Sequence, residues 1–406
     1  MVTGKAPRPK MPKVKRITKM EELVPAARRM ISKDAPHLYE GMEIKKGQKV
    51  LIINDTTADQ LVVEALSAAI LEKGAHLNVI TLEGNRGMKD PGELMDSQFS
   101  NNWYPQWVWD AAKEADLVVP HAFLKAAHTP LPNLPNKPKI NNCWELTADL
   151  MLSEHQTYPV QIRDAIDEIA WSQLFNCTTA HWTDLEGTDI EMKLTPEDWK
   201  RVTAKKLAHT RTPYHPGHLM LPAPVIDMNG VFVTSSVTFG GPIPRTKFYI
   251  ENGKVVKVVG GGKYGDRLRK SFIEHKDLHT KASCPGPGIN WITTIGICTN
   301  PHVRQSPFFK ELEGSARIVA WTFGHRRAGV MHTSVGEGLV SPTHKIIRHM
   351  DTFFNTLVTD KGTVIENGHL TTLDDPKIRK IAKKYGDPDV LLKEIWVPAV
   401  SGVNAP

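Results

Sequence analysis

Lys49-Val50-Leu51-Ile52-Ile53-Asn54 is a short apolar run whose reading decides the fold of the first third of the chain. Residues 58 to 73 follow with helical spacing and stop at Gly74. LNVITL (77–82) reads as a second strand, residues 107 to 114 as another helix, and ADLVVP (115–120) as a third strand. Apolar runs alternating with helices are the pattern of a parallel sheet covered by helices on its faces. The turn after the first run, DTTADQ, has neither GxGxxG nor a Walker lysine, so it holds no dinucleotide or nucleoside triphosphate by the known mechanisms. Strand ends in such sheets still point at a crevice. His121, just past the third strand, and His128 are therefore candidates to face an active site.

Beyond a helix at residues 160 to 175 the texture changes. TTAHWTDL (178–185), DIEMKL (189–194), GVFVTSSV (230–237), TKFYI (246–250), KVVKVV (254–259), NWITTIGI (290–297) and RIVAWTFG (317–324) read as short extended runs broken by glycine and proline. Helices are expected at residues 196–206, 265–275 and 376–385. At 406 residues the chain is too long for one core, since single cores seldom pass roughly 250 to 300 residues. The expected division is a basic N-terminal arm and lead-in (1–40), an α/β domain with a parallel sheet (41–176) and a β-rich α+β metal-binding domain (177–406).

Composition is that of an ordinary enzyme, with 40% hydrophobic and 23% charged residues. No run approaches the roughly 20 apolar residues that span a bilayer. Residues 1–16 are basic and proline-rich without an apolar h-region, so they read as a flexible arm and not a secretory signal. Cys143, Cys177, Cys284 and Cys298 form no CxxC pair, which argues against a zinc ribbon, a redox motif or a disulfide framework and for a reducing cytoplasm. The net charge of +7 is spread along the chain, with no clustered basic patch of the kind that binds nucleic acid.

Chemistry concentrates near the C-terminal end. Gly329-Val330-Met331-His332-Thr333-Ser334-Val335-Gly336 is followed by His349-Met350-Asp351, two imidazoles and a carboxylate among apolar neighbours. Two histidines and one carboxylate suit non-haem Fe(II), and the same groups hold zinc or cobalt for hydrolysis. On an extended segment His349 and Asp351 point to one face; on a helix they would diverge by roughly 200°. Glycines on both sides let the backbone around His332 approach closely. A second group, His209, His215 and His218 in HTRTPYHPGHLMLP, has spacing suited to metal binding or proton transfer. Arg326 and Arg327, beside His325, are candidates to clamp a substrate carboxylate. Gly260-Gly261-Gly262 lacks the GK[ST] of a phosphate loop and reads as a turn.

Several of these pieces resemble the aminopeptidase T family of thermophilic metallopeptidases and its 2,5-dihydroxypyridine 5,6-dioxygenase-like relatives. They are Gly187-Thr188-Asp189, residues 248–256 with their Glu251-Asn252-Gly253 turn, GICTNP (296–301), residues 329–336, and His349-Met350-Asp351. The KGQKVLI start and the ADLVV strand are similar to the family's N-terminal domain, and the likeness covers roughly residues 45–370. The resemblance implies metal ligands at His332, His349 and Asp351, with His302 or His325 able to substitute for His332, and a homodimer. In the peptidases two glutamates also bridge a metal pair. Here Asn229-Gly230 and Thr294 stand where they are expected, and a two-metal site without bridging carboxylates is poorly neutralised. The dioxygenase relatives carry a histidine where the second glutamate was, so Thr294 departs from them as well. Their other histidines fall by rough position at His218 and at His121 or His128.

Together these readings predict a cytoplasmic metalloenzyme with one divalent ion, Fe(II) with zinc or cobalt as alternatives, on His332, His349 and Asp351. The expected reaction is O2-dependent cleavage of a small hydroxylated aromatic substrate, with an N-heterocycle as one option. His218 or His121 would take the hydroxyl proton and Arg326 would hold a carboxylate or ring oxygen. No nucleic acid and no membrane is expected as a partner. The alternative is a metal-dependent aminopeptidase or amide hydrolase with Glu337 as base. A third is a binding protein on a degenerate enzyme fold.

Overall fold

The computed structural model describes residues 6–32, 41–84, 105–121, 136, 138–140, 146–204, 217–238, 240–278, 284–335, 338–341, 344–346 and 348–406. After a short helix, α1 (Val24–Met30), the expected alternation follows: β1 (Lys49–Asp55), α2 (Gln60–Glu72), β2 (His76–Leu82), α3 (Gln106–Lys113) and β3 (Leu117–Pro120). A two-residue strand, β4 (Lys139–Ile140), completes a parallel sheet of order β2-β1-β3-β4. β1 is buried on both faces, against α1 and α2 on one side and α3 on the other, which is why its sequence is an unbroken apolar run.

Two helices, α4 (Ala148–Met151) and α5 (Val160–Leu174), lead into the larger sheet. It is built from β5 (Thr179–Thr183), β6 (Asp189–Lys193), β7 (His218–Leu221), β8 (Asp227–Val237), β9 (Gly241–Glu251), β10 (Lys254–Gly260), β11 (Ile292–Cys298) and β12 (Met331–Val335). A separate hairpin, β13 (Gly338–Ser341) with β14 (His344–Ile346), precedes its last strands, β15 (His349–Thr352), β16 (Thr356–Thr359), β17 (Gly362–Glu366) and β18 (His369–Leu370). All the pairings described in this sheet are antiparallel, and its order runs β18-β17-β16-β5-β6-β8-β15-β12-β11-β7, with β9 and β10 branching from β8. The remaining helices are α6 (Pro196–Ala204), α7 (Gly262–Glu274), α8 (Gly314–Thr322), α9 (Pro376–Ala382) and α10 (Pro388–Leu391). α5 buries Ile162, Ile166, Ala170 and Leu174 in the core of this sheet. No helix of the described residues is long and apolar enough to cross a membrane.

Two expectations fail here. RIVAWTFG is not extended: α8 and the 3-10 turn Phe323–Arg326 occupy it. Gly314, Ser315, Ala316, Ile318, Val319, Ala320 and Thr322 are all buried, so a helix enclosed on nearly every side shows no amphipathic period. The N-terminal segment is no free arm from residue 6 onward. Lys10 and Val397 exchange backbone hydrogen bonds of 3.1 and 2.9 Å, Asn404 donates to the Pro7 carbonyl, and Arg16 stacks 4.6 Å from the Phe308 ring centroid.

The two sheets meet through α8. Its first turn caps the C-terminal end of β1, where Ser315 N donates to Thr57 Oγ1 at 2.9 Å and the Ser315 hydroxyl to Asp55. Its last residues reach the larger sheet, Trp321 Nε1 donating to the Val237 carbonyl at 3.1 Å and Thr322 Oγ1 to that of Thr238 at 2.7 Å.

Candidate metal centre

Register makes this site. Cys298 of β11 lies opposite His218 of β7, Gly296 opposite His332 of β12, His332 opposite Asp351 of β15, and Ser334 opposite His349. Residues directly opposite in an antiparallel pair share a face, and alternate residues of one strand share it too. His218, Gly296, His332, His349 and Asp351 therefore occupy one face. The intervening residues, Leu219, Ile295, Ile297, Met331, Val335 and Met350, bury the other face in the core. His349 and Asp351 are extended, so both side chains lie on this face.

The polar face is covered by the turn after α8, which adds a fourth imidazole, His325. Ring centroids lie 4.5 Å apart for His332 and His349, 4.9 Å for His325 and His332, 5.4 Å for His218 and His332, and 6.3 Å for His218 and His325. All four rings and Asp351 are buried. Gly296 has no side chain for a reason: a Cβ there would fall inside the His218 ring. Gly324 likewise leaves room for Trp396, and Arg327 donates to the Trp396 carbonyl at 2.7 Å, so the C-terminal segment braces the turn that carries His325.

The hydrogen bonds define an orientation for the rings of His325, His332 and His349. His332 Nδ1 donates to Asp351 Oδ1 at 2.9 Å, which also accepts from Thr238 Oγ1 at 2.8 Å. His332 Nε2 faces His349 Nδ1 within hydrogen-bond distance. His325 Nδ1 donates to the Thr322 carbonyl. Burial pushes His325 well below the ordinary histidine value, and Arg326, His332 and His218 push it the same way, so its imidazole is neutral. Burial raises the Asp351 carboxyl, against the opposing pull of His332 and Thr238.

Behind the face, Asp167 of α5 accepts from Gly217 N at 2.8 Å and from the Thr299 hydroxyl, pinning the residue before His218 to the one after β11. Its carboxyl is pushed up to about 6 by burial. Thr238 and Asp167 carry no motif and were not legible as site residues. From sequence His325 stands only as an alternative to His332, whereas the structure sets the two side by side.

The other sequence candidates fall elsewhere. His121 is buried at the end of the parallel sheet, its Nε2 3.3 Å from the Asp59 carbonyl. His302 lies against Tyr158, with Nε2 3.2 Å from the Val390 carbonyl. Arg326 is buried beside His325, but Arg327 is no substrate clamp: it bonds the carbonyls of Trp396, Ala328 and Gly368 and stands 3.8 Å from Glu394. Gly187-Thr188-Asp189 forms a hairpin turn whose backbone N–H groups at 187 and 188 bond Asp184. Asn229 and Gly230 lie seven or more residues along β8 from Val237, the partner of Met350, which is more than about 20 Å. The residue that enters the site beyond that end of β8 is Thr238. His128, His209, His215 and Glu337 lie outside the described residues.

No family model matches the sequence, and no curated protein matches it. Solved structures do. The 2,5-dihydroxypyridine dioxygenase from Pseudomonas putida KT2440 superposes with a TM-score of 0.54 at 13% identity, over 87% of this chain and 98% of its own. The two chains share a fold. Wild-type AmpT from Thermus thermophilus gives a TM-score of 0.48 at 14% identity, over 87% of this chain and 100% of its own. The fold implied by the motif resemblance is the one shared with the dioxygenase structure.

Proposed function

We propose that this chain is a metal-dependent enzyme that opens a hydroxylated aromatic ring, an N-heterocycle among the options, with O2, using one Fe(II) ion at His332, His349 and Asp351. The observation that carries this reading is a buried face rich in imidazole and poor in carboxylate, in a fold shared with a solved dioxygenase. β7, β11, β12 and β15 contribute Asp351 as their one carboxylate, too little to bridge a metal pair of the hydrolytic kind.

The paired imidazole nitrogens are of the type that suits a divalent ion. His332 Nε2 and His349 Nδ1 face each other closely, so the two nitrogens share one proton unless a cation takes both lone pairs. Among the described residues no three donors already converge on one point, so loading turns at least one further side chain toward this pair. Fe(II) would supply the electrons for O2 chemistry and a Lewis-acid hold on a substrate hydroxyl.

The protein's own groups account for the rest. His218, the histidine that the structure brings to the cluster, accepts the substrate hydroxyl proton in preference to His121. Arg326 fixes an anionic oxygen of the substrate. The buried walls exclude bulk water from the reacting ring.

The test is metal content on protein purified without oxygen, followed by O2 uptake against a panel of hydroxylated pyridines and benzenes. About one iron per chain, lost in His349→Ala, together with ring-dependent O2 uptake is expected. Two zinc or cobalt ions per chain with anaerobic amide hydrolysis would sink the reading.

A further inference from the structure

We infer that Ser334, with Thr293 and Thr294 of the facing strand, forms a hydroxyl subsite that takes a second, uncharged oxygen substituent of the substrate ring. The subsite deepens the proposed function and stands only if the imidazole face is where the ring binds.

Register places it. Thr294 of β11 lies opposite Ser334 of β12, and Ser334 opposite His349 of β15. Ser334 is two residues from His332, so its side chain leaves the same face of the sheet as the imidazoles. β11 carries a bulge here, since its pairing with β12 passes from Ile292–Val335 straight to Thr294–Ser334 and leaves Thr293 over. Ile292 and Ile295 both lie in the core. The extra residue therefore turns Thr293 and Thr294 alike away from the core, toward the imidazole face. Bulges re-aim side chains in this way and recur beside active sites. Residues opposite one another in an antiparallel ladder lie about 4.5 to 5.5 Å apart, the span of a single ring, so a ring anchored at His349 reaches Ser334.

The hydroxyls there are unused. Ser334 is fully buried and Thr293 nearly so, and neither Ser334 Oγ nor Thr293 Oγ1 has a hydrogen-bond partner among the described residues. A buried hydroxyl left unbonded costs stability, so alanine and valine would fill the same space at less cost if filling it were the whole task. Thr294 is only half-buried, and the row opens toward solvent at that strand.

The three residues also bring no charge. A carboxylate buried against them would go uncompensated at that end of the ring, whereas a hydroxyl or ring carbonyl exchanges hydrogen bonds with them. A site built to bond a substrate hydroxyl rejects the analogue that lacks it, because its own polar groups then stay unpaired. The subsite thus selects a ring that carries a second hydroxyl beyond the one taken at the metal centre.

Calorimetry on the Fe(II)-loaded full-length protein, without oxygen, tests this with five probes: phenol, catechol, resorcinol, hydroquinone and 3-hydroxybenzoate. The wild type is expected to bind its best dihydroxy ring about 10- to 100-fold more tightly than phenol, and more tightly than 3-hydroxybenzoate. Ser334→Ala should bring that ring down to the affinity of phenol while leaving phenol unchanged, and Thr293→Val should do so in part. Ser334→Thr keeps a hydroxyl and should restore most of the preference. Metal-free Ser334→Ala should unfold at no lower urea concentration than the wild type, since it gives up no internal hydrogen bond; a clearly lower midpoint would make Ser334 structural. Equal affinity of the wild type for phenol and every dihydroxy ring, tighter binding of 3-hydroxybenzoate, or a preference that survives both Ser334→Ala and Thr293→Val would overturn the subsite. A wild type that binds none of the five probes would instead remove the ring-opening reading on which the subsite stands.

Discussion

The two sheets of this molecule place polar side chains at comparable depth and use them differently. At the C-terminal end of β1, Asp55 accepts from Thr57 N at 2.7 Å, Thr57 Oγ1 at 2.6 Å and Ala58 N at 3.0 Å, and from the Ser315 hydroxyl. Asp59 caps α2 through Leu61 N at 3.2 Å and accepts from Ala148 N at 2.7 Å. The crevice where parallel sheets commonly take ligands is closed by the first turn of α8. On the larger sheet, by contrast, three buried imidazoles gather with a fourth, His325, from the turn after α8. Hydrogen bonds that complete backbone turns hold a fold together, whereas clustered rings of one kind repel when protonated and call for something added.

The sharpest way to break that comparison is to remove one member from each sheet. Asp55→Ala strands several buried donors at once and is expected to lower the unfolding free energy of the apoprotein by about 3 kcal/mol or more. His349→Ala removes one ring of the cluster and is expected to cost the apoprotein less than Asp55→Ala does, about 1 kcal/mol, while abolishing metal binding. Urea unfolding of the metal-free proteins, paired with metal analysis, checks both. Equal destabilisation by the two substitutions would show that the cluster is structural.

A smaller perturbation asks how finely the cluster is set. Gly296→Ala adds one methyl where the His218 ring lies, so the ring must move off the sheet. Overpacking of this kind is expected to cost about 1 to 3 kcal/mol. The proposed O2-dependent turnover should fall about 100-fold, because a proton acceptor displaced by an ångström loses its alignment. Stability and iron content measured beside turnover separate these effects. Full activity in Gly296→Ala would remove His218 from the reaction.

The same contrast explains what was legible in the sequence. β1 and β3 are buried on both faces, so their apolar runs announce a parallel sheet; β4, two residues long, has no run to read. His332, His349 and Asp351 were found because an HxD on a strand and a glycine-flanked histidine form a local pattern. His325 was hidden by its approach, since α8 is enclosed and its β-branched and aromatic residues imitate a strand. Thr238 acts through one hydroxyl at the end of β8, and nothing in composition or spacing marks such a residue. The docking of residues 6–16 joins the Lys10–Val397 backbone pair to side-chain contacts of Asn404 and Arg16, whose partners are distant in sequence and leave no local pattern.

His369 supplies the internal control, a histidine on the same large sheet but outside the cluster. On β18 its Nδ1 lies 3.0 Å from Glu394 and its Nε2 2.8 Å from Asp374, and those carboxylates raise it to about 9. A folded value above the unfolded one means that the charged ring stabilises the fold fully below about pH 6.5 and that this contribution is lost as pH rises through about 9. Because the ring is partly exposed, solvent screening keeps the effect to about 1 kcal/mol. Unfolding free energy measured from pH 6.5 to 9.5 should therefore decline in the wild type, and this component should be absent in His369→Gln. An unchanged decline in the variant would assign the pH dependence to other groups, and the distinction between a charged edge histidine and the neutral His325 would need a different basis.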